Sequence, residues 1–331
     1  MRFFVVSNAE SRRTAYFIRA GESVGADVRL VTYEALPSLL PRLQEAVIKL
    51  EPWVYAETGF AAYAKLCASD RRQLERLGAM EKPPGVRFMN EPEAILLALD
   101  KVRCKEVLTA AGLRCTPVAA HGLTGFDALA DCVVACRRGI FLKPRYGSGA
   151  GGILAIRCQP RLNRWVAYTT LCRSADGVHN TGRIHRLTDR NEMAFLAETV
   201  LREGAVAEEW VAKESAGGEP YDLRVVCVGG RTVYVVVRYS SGAITNLHLN
   251  NKPGRWSDLR LPAAVREEVL ALGVAATRAA GLYYAGVDVL LEKGSLRPCV
   301  IEVNGQGDHI YQDLFGENAI YKEEFLFGKM G

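Results

Sequence analysis

The sequence has 331 residues, of which 49% are hydrophobic and 24% are charged, and its formal net charge at pH 7 is +5. A chain of this length and composition is expected to be globular with more than one domain. It contains no apolar run near the roughly 18–20 residues that span a bilayer, and the mild charge does not by itself indicate nucleic-acid binding. Nine scattered cysteines without paired spacing favour free thiols. We therefore expect a cytoplasmic protein without a membrane or nucleic-acid partner.

The first 92 residues alternate between short apolar segments and amphipathic segments. Apolar, partly β-branched residues predict strands over Arg2–Val6 and Asp27–Tyr33. Helical periodicity predicts helices over Leu39–Lys49 and Thr58–Leu77. This alternation indicates a small α/β domain.

A Pro/Gly-rich connection with one short strand leads to Pro92. Asn90 or Glu91, placed before this proline, is a suitable start for a helix. The residues from Glu93 onward predict one strong helix, which Gly112 ends as a C-terminal cap.

The stretch "FLKPRYGSGAGGILAIR", Phe141 to Arg157, contains a glycine pattern that also occurs in dinucleotide-binding turns. Such a turn must open a helix, whereas the glycines here are followed at once by the apolar segment Ile153–Ile156. The pattern therefore predicts a strand, a glycine-rich turn and a second strand. The backbone amides of this flap could close over phosphates, with Lys143 at the end of the first strand. A hairpin turn without a ligand is the alternative.

The second half of the chain, from Glu208, is rich in predicted strands. The segment "LRVVCVGGRTVYVVVRY" predicts a hairpin turned at Gly229–Gly230. A helix over Ala263–Ala280 follows, and then two strands, Tyr284–Leu291 and Pro298–Val303.

Three oxygen-bearing side chains fall on the last two predicted strands. Glu302 and Asn304 are two residues apart and share one face of their strand, and Asp288 can face them if the strands pair through the Lys293–Gly294 turn. Carboxylate and amide oxygens suit Mg²⁺, with Mn²⁺ as an alternative ion. Charges on an edge strand are the other interpretation.

An apolar strand with two consecutive acids, "AVAEEWV", precedes this region. It suits a hinge whose backbone binds the edge of a purine at Glu208 and Glu209, with apolar contact from Trp210 and Val211. Glu214 lies just beyond, where a ribose hydroxyl would be met. A buried strand followed by a loop explains the same residues.

Together these segments resemble the ATP-grasp superfamily, and most of all its carboxylate–amine ligases of the RimK and glutathione-synthetase type. The resemblance covers about residues 90–306 and depends on the order of the motifs. It implies an α/β (α+β) ATP-grasp fold with a pre-ATP-grasp domain over residues 1–92. One ATP-binding lobe would span residues 93–207, with the flap and a basic insertion, and a second would span residues 208–331, with the adenine hinge and the magnesium site.

The resemblance also implies roles for individual residues. The lysines of "ALDK" and "FLKP" and the glycine flap would bind ATP phosphates, at Lys101, Lys143, Ser148, Gly149 and Gly151. The hinge would hold adenine and ribose through Glu208, Glu209, Trp210, Val211 and Glu214. Segments "YDLRVV", "VVVRY" and "ITNLH" would hold the γ-phosphate and an acyl phosphate through Arg224, Arg238 and Asn246. Asp288, Glu302 and Asn304 would bind the metal.

The implied activity is an ATP-dependent ligation of a carboxylate to an amine. ATP would phosphorylate the carboxylate, and the amine would displace phosphate from the acyl phosphate to leave an amide, ADP and phosphate. His248 and His309 flank the predicted site and could take a proton from the amine. A phosphotransferase on the same scaffold and a non-catalytic nucleotide-binding protein are the alternatives.

The stretch from Gln159 to Arg190 holds six arginines, two aspartates and no lysine. The planar arginine side chain suits bidentate contacts with carboxylates and phosphates. We therefore expect an anionic substrate, either an acidic peptide or a multiply charged small acid, with this insertion projecting towards the cleft. A solvated basic face is the alternative.

Overall fold

The computed structural model describes residues 1–54, 59–147, 149–240, 242, 244, 252–306 and 318–329. These residues form three β-sheets with helices packed against them. The mixture of parallel and antiparallel sheets confirms the predicted α/β class.

The first sheet contains four parallel strands in the order β2-β1-β3-β4. Its strands are β1 (Arg2–Ser7), β2 (Asp27–Thr32), β3 (Ala46–Leu50) and β4 (Val86–Phe88). The connecting helices are α1 (Arg12–Ser23), the short α2 (Leu36–Leu39) and α3 (Phe60–Gly78). Both predicted strands and the second predicted helix are therefore confirmed.

The predicted helix over Leu39–Lys49 is wrong. A short 3₁₀ turn (Leu40–Arg42) and the buried strand β3 occupy this segment. Because β3 lies between β1 and β4, all its residues are buried, including Lys49, whose ammonium group binds Glu324 Oε2 at 2.5 Å. A polar residue inside a buried strand imitates the spacing of an amphipathic helix.

The single helix predicted after Pro92 is in fact two helices, α4 (Pro92–Leu99) and α5 (Lys101–Ala110). Asp100 separates them with an extended backbone, and its carboxylate accepts hydrogen bonds from the amides of Val102 and Arg103. This N-cap starts a new helix, and it places Lys101 in the first turn of α5.

The second sheet has six strands in the order β5-β10-β6-β7-β8-β9. They are β5 (Val118–His121), β6 (Ile140–Pro144), β7 (Leu154–Gln159), β8 (Arg164–Ser174), β9 (Gly177–Leu187) and β10 (Ala205–Glu209). Helices α6 (Phe126–Ala135) and α7 (Arg190–Arg202) bury one face. The opposite face is left for the cleft described below.

The third sheet is antiparallel, in the order β14-β13-β12-β15-β16, with a short strand β11 paired to β12. Its strands are β11 (Ser215–Ala216), β12 (Glu219–Val228), β13 (Arg231–Tyr239), β14 (Lys252–Arg255), β15 (Tyr284–Leu291) and β16 (Pro298–Asn304). Helix α8 (Ala263–Ala279) packs on one face. The hairpin at Gly229–Gly230, the helix and the last two strands were predicted correctly.

The last helix, α9 (Ala319–Glu324), returns to the first sheet. Its Tyr321 packs with Phe17 of α1 and with Tyr284 of β15, so it joins the N-terminal sheet to the third one. Strand β10 crosses the predicted boundary between residues 207 and 208, and the division into three domains stays a prediction. No helix in the described part of the chain is long and apolar enough to cross a membrane.

Candidate active site

A deep cleft lies between the second and third sheets. It encloses about 930 Å³ of empty space, part of it open to solvent, and apolar and charged side chains both line it. One wall comes from β6, β10 and the glycine turn, and the other comes from β12, β13, β15 and β16. The predicted site residues that line it are Lys101, Lys143, Gly149, Gly151, Glu208, Glu209, Val211, Arg224, Arg238, Asp288, Glu302 and Asn304.

The glycine turn joins two antiparallel strands, β6 and β7, as the sequence predicted. It lies against Tyr63 of α3, so closely that a Cβ atom at Gly147 or Gly151 would come within 2.6 or 2.8 Å of the tyrosine ring or hydroxyl. The carboxamide of Asn180 holds the Gly152 amide at 2.8 Å. Only glycine allows this close approach. Ser148 lies outside the described residues.

Lys101 lies below this turn at the start of α5. Its ammonium group donates a hydrogen bond to the carbonyl of Gly147 at 2.7 Å and lies 3.4 Å from Glu302 Oε1. The lysine thus connects the flap of one sheet to the last strand of the other. It is buried, although it faces the cleft.

Glu208 is the centre of a buried charge cluster on the second sheet. Its Oε2 atom lies 3.0 Å from Lys143 Nζ and 2.6 Å from Lys105 Nζ, and it accepts a 2.9 Å hydrogen bond from Thr116. Burial raises the pKa of this carboxyl, but the two lysines outweigh burial and lower the pKa to about 2.

The two lysines respond differently to this shared carboxylate. Burial lowers the pKa of Lys143, but the charges of Glu208 and Glu302 more than offset it, so the pKa is raised. For Lys105 burial prevails and lowers the pKa, despite the same partner. Lys143 is therefore held as a cation that faces the cleft.

The predicted adenine hinge is only partly as expected. Glu209 and Val211 line the cleft, whereas the indole of Trp210 packs against Phe141 at 4.9 Å. The Glu214 carboxylate accepts hydrogen bonds from the amides of Ser215 and Gly294, which lower its pKa, and the residue does not line the cleft. The apolar lining comes instead from Phe141, Ile153, Val211, Ile244, Leu290 and Ile301.

A row of alternating charges crosses the third sheet. Arg224 on β12 binds Asp288 on β15 at 2.5 Å, and Arg238 on β13 binds both Asp222 at 2.7 Å and Asp288 at 3.1 Å. A Cβ atom at Gly286 would lie 2.6 Å from Arg224 Nη1, so the glycine leaves room for this guanidinium. That nitrogen is buried and finds no hydrogen-bond partner among the described residues.

Asp288, Glu302 and Asn304 meet at the paired strands β15 and β16. Asp288 is directly opposite Glu302, and the Asn304 amide group donates a 3.2 Å hydrogen bond to the carbonyl of Gly286. The described residues donate no hydrogen bond to Glu302 Oε2 or Asn304 Oδ1. Two carboxylates and an amide oxygen are a donor set that fits Mg²⁺. Among the described residues no group of three or more His, Cys, Asp and Glu side chains offers another metal site.

The fold of the chain is similar to that of proteins of known structure. No family model matches the chain. The crystal structure of the D-cycloserine synthetase DcsG superimposes with a TM-score of 0.63 at 16% identity, and the match covers 99% of each chain. The protein has the ATP-grasp fold. The fold that the sequence resemblance implied is thereby confirmed.

Two further proteins are similar to this chain. The ATP-grasp ligase PsnB, in complex with a minimal precursor, Mg and ADP, matches with a TM-score of 0.56 at 12% identity over 99% of this chain and 98% of that one. A tetrahydromethanopterin:alpha-L-glutamate ligase from Methanococcus maripaludis is 37% identical over 83 residues. That match spans a quarter of this chain and a quarter of the length of the relative.

Some residues that line or support the cleft were missed in the sequence, and Lys105 supports it through its ion pair with Glu208 without lining it. Lys105 follows Lys101 by one helical turn, and Asp222 precedes Arg224 by two strand positions, so both spacings indicated a shared face. Thr116 and Lys213 carried no such signal. Asn246, His248 and His309 lie outside the described residues.

The basic stretch from Gln159 to Arg190 forms mainly the hairpin β8–β9, which extends the second sheet. None of its residues lines the cleft, so the stretch does not project there as expected. Arg173 lies over the ring of Phe195, and Arg190 lies over the rings of Phe126 and Trp165.

Proposed function

We propose that the protein is an ATP-dependent carboxylate–amine ligase that forms an amide through an acyl phosphate. One observation carries the proposal. Five lysine and arginine side chains from both sides of one cleft converge beside an oxygen donor set, and the buried Nη1 atom of Arg224 has no partner among the described residues. A buried donor without a partner is costly. It suits a site that becomes complete when an anion binds.

ATP would lie between the sheets with its phosphates below the glycine turn. Lys101 and Lys143 would neutralise phosphate oxygens, and the amides of Gly149 and Gly151 would approach them closely. Ser148 belongs to the same turn and is proposed with it. The adenine would lie against the apolar lining, beside the backbone of Glu209 and Val211.

Glu208 would serve this site through its side chain. Its Oε1 atom is buried and has no partner among the described residues, although Oε2 binds two lysines. The carboxylate would hold Lys143 in position and offer an acceptor beside the base. Trp210 and Glu214 would act indirectly, by packing against Phe141 and by fixing the loop beyond the hinge.

Asp288, Glu302 and Asn304 would hold Mg²⁺. When bound, the ion would neutralise phosphate oxygens of ATP. In the structure Asp288 accepts hydrogen bonds from Arg224 and Arg238 through both of its oxygens. These arginines hold the carboxylate in a fixed position.

The chemistry would then follow from charge placement. A carboxylate oxygen of the substrate attacks the γ-phosphorus of ATP, the bond to ADP breaks, and an acyl phosphate forms. The amine attacks the acyl carbon, phosphate leaves with the bonding electrons, and the amine loses a proton. Arg224, Arg238 and Asn246 would stabilise the negative charge on the transferring phosphoryl group and the acyl oxygens.

The substrate class follows from the relatives and from the charge of the protein. PsnB is described with a minimal precursor, and the curated relative is named for glutamate. We propose an anionic amino acid or an acidic peptide as one substrate of this protein.

The experiment supplies ATP, Mg²⁺ and hydroxylamine with a panel of amino acids and acidic peptides. An acyl phosphate is trapped by hydroxylamine, so ADP release should be accompanied by an equal amount of hydroxamate for the true carboxylate. ADP release with a stable phosphorylated product and no hydroxamate would favour a phosphotransferase. The absence of ADP release with any carboxylate, despite ATP binding, would favour a non-catalytic role.

A further inference from the structure

Five arginines line one shallow depression on the surface of the second sheet, which we call the arginine depression. They are Arg137, Arg138, Arg157, Arg164 and Arg186, and none of the residues lining the depression is an aspartate or a glutamate. None of the five forms an ion pair with a carboxylate of the described residues. This concentration of uncompensated positive charge is a site for an anion.

The strand register shows where the arginine depression lies. Phe141 of the cleft is opposite Ala155 on β7, Ala155 is opposite Tyr168, and Tyr168 is opposite Arg186. Side chains opposite one another share a face of a sheet. Arg157 follows Ala155 by two positions, so the depression continues the face that bounds the ATP cleft.

Arg157 connects the depression to the hinge. Its guanidinium lies 3.4 Å from the centre of the Trp210 ring, and Val211 lines the cleft while the next residue, Ala212, lines the depression. The two sites are neighbours, separated by the hinge. Burial and the nearby charge of Arg138 lower the pKa of Arg157, which agrees with the absence of a compensating carboxylate.

The size of the depression indicates its occupant. It encloses about 1650 Å³ of empty space, much of it open to solvent, against about 930 Å³ for the cleft. The depression is therefore wider and more open than the cleft, and its five arginines can contact more than one carboxylate at once. A single-stranded nucleic acid needs successive aromatic platforms, and Trp165 is the one aromatic side chain in the lining. The observations therefore favour an extended segment with several carboxylates.

We infer that the arginine depression binds an acidic peptide segment, outside the site of chemistry. The further assignment of this segment to the peptide substrate rests on the proposed function. Binding of the segment itself does not, because it requires neither ATP nor turnover. The site lies beside the adenine end of the cleft, so it would raise the affinity for the substrate without changing the chemical step.

The experiment measures binding of a fluorescein-labelled peptide of alternating glutamate and glycine to the full chain by anisotropy, at low and physiological salt. The reversal Arg164→Glu/Arg186→Glu should weaken binding about tenfold or more, which is about 1.4 kcal/mol. The matched control Arg161→Glu/Arg183→Glu makes the same charge change in the same basic stretch, outside the depression, and should weaken binding much less. If the reversal unfolds the chain, Arg164→Gln/Arg186→Gln replaces it.

Two results would overturn the inference. Equal weakening by both double variants would show a general charge effect rather than a site. Stronger binding of single-stranded oligothymidylate of matched charge would assign the surface to nucleic acid. The hydroxamate assay tests the ligase activity separately from peptide binding. Failure of the proposed function is therefore distinguishable from failure of the peptide site.

Discussion

The cleft and the arginine depression lie on one face of the second sheet, yet they differ in how their positive charges are compensated. In the cleft each cation has a carboxylate partner: Lys101 has Glu302, Lys143 has Glu208, Lys213 has Asp222, and Arg224 and Arg238 have Asp288. In the depression, the five arginines have no carboxylate partner among the described residues.

The difference follows from burial. A buried charge without a partner costs several kcal/mol, so the cations of the cleft must be paired before any ligand arrives. The arginines of the depression are exposed, although the Trp210 ring partly shields Arg157 from solvent. The cleft is therefore preorganised for chemistry, whereas the depression is free to attract an external anion. The following predictions test that contrast.

The largest effect is expected from Glu208→Gln. The substitution leaves Lys105 and Lys143 buried beside a neutral amide, and it should lower the free energy of unfolding by about 3–5 kcal/mol in urea denaturation. The matched control is Glu209→Gln, because Glu209 is the exposed neighbour on the same strand. Its effect should stay within about 0.5 kcal/mol. Equal losses for both variants would contradict the role of the buried cluster.

Turnover should fall by about 10²–10³ for Lys143→Met and for Glu302→Gln, with the fold retained. Lys105 remains to pair with Glu208 when Lys143 is lost, which protects the fold. ADP release in the hydroxamate assay is the measurement. The exposed Lys65→Met and Glu219→Gln variants serve as controls. Wild-type turnover in either cleft variant would remove that residue from the proposed site.

Acid should destabilise the protein through the same cluster. The pKa of Glu208 is about 2 in the folded chain against an ordinary 4.5. Its contribution to the free energy of unfolding is therefore complete above pH 4.5 and is lost as the pH falls towards 2. At about 1.36 kcal/mol per unit, the wild-type advantage over Glu208→Gln should shrink by about 3 kcal/mol across this window. A stability difference that does not change with pH would contradict the ion pair.

The smallest effect is expected in the arginine depression. Because its arginines have no partners to lose, Arg164→Gln/Arg186→Gln should change the free energy of unfolding by less than about 0.5 kcal/mol. The same variant should bind the glutamate peptide more weakly. A loss of stability as large as that of Glu208→Gln would show that these arginines are structural.

The order of motifs was sufficient to predict the fold and most of the lining of the cleft. Lys143, the glycine turn and the Asp288–Glu302 pairing follow from strand periodicity and turn chemistry, which are local. The break at Asp100 and the buried strand around Lys49 were missed. Both depend on partners that are distant in the sequence. The Asp100 carboxylate, which caps α5, also binds Arg145, and Lys49 binds Glu324 on the last helix.

The hinge shows the same limit on a smaller scale. Strand alternation could place Glu208 on one face of its strand. It could not reveal that Lys105 and Thr116, from distant segments of the chain, contact Glu208 on that face. Likewise, the arginine count of the hairpin could not separate Arg173, which lies over Phe195, from Arg186, which lines the depression. Tertiary packing decides these assignments.

The central claim is that the carboxylate of the substrate is phosphorylated by ATP. The most direct measurement uses a substrate from the hydroxamate panel with isotopically labelled carboxylate oxygens and follows the label into the products. One labelled oxygen should appear in the released phosphate, because the bond between that oxygen and the acyl carbon breaks when the amine attacks. If the label remains wholly in the carbon product and the released phosphate is unlabelled, the acyl-phosphate account is contradicted.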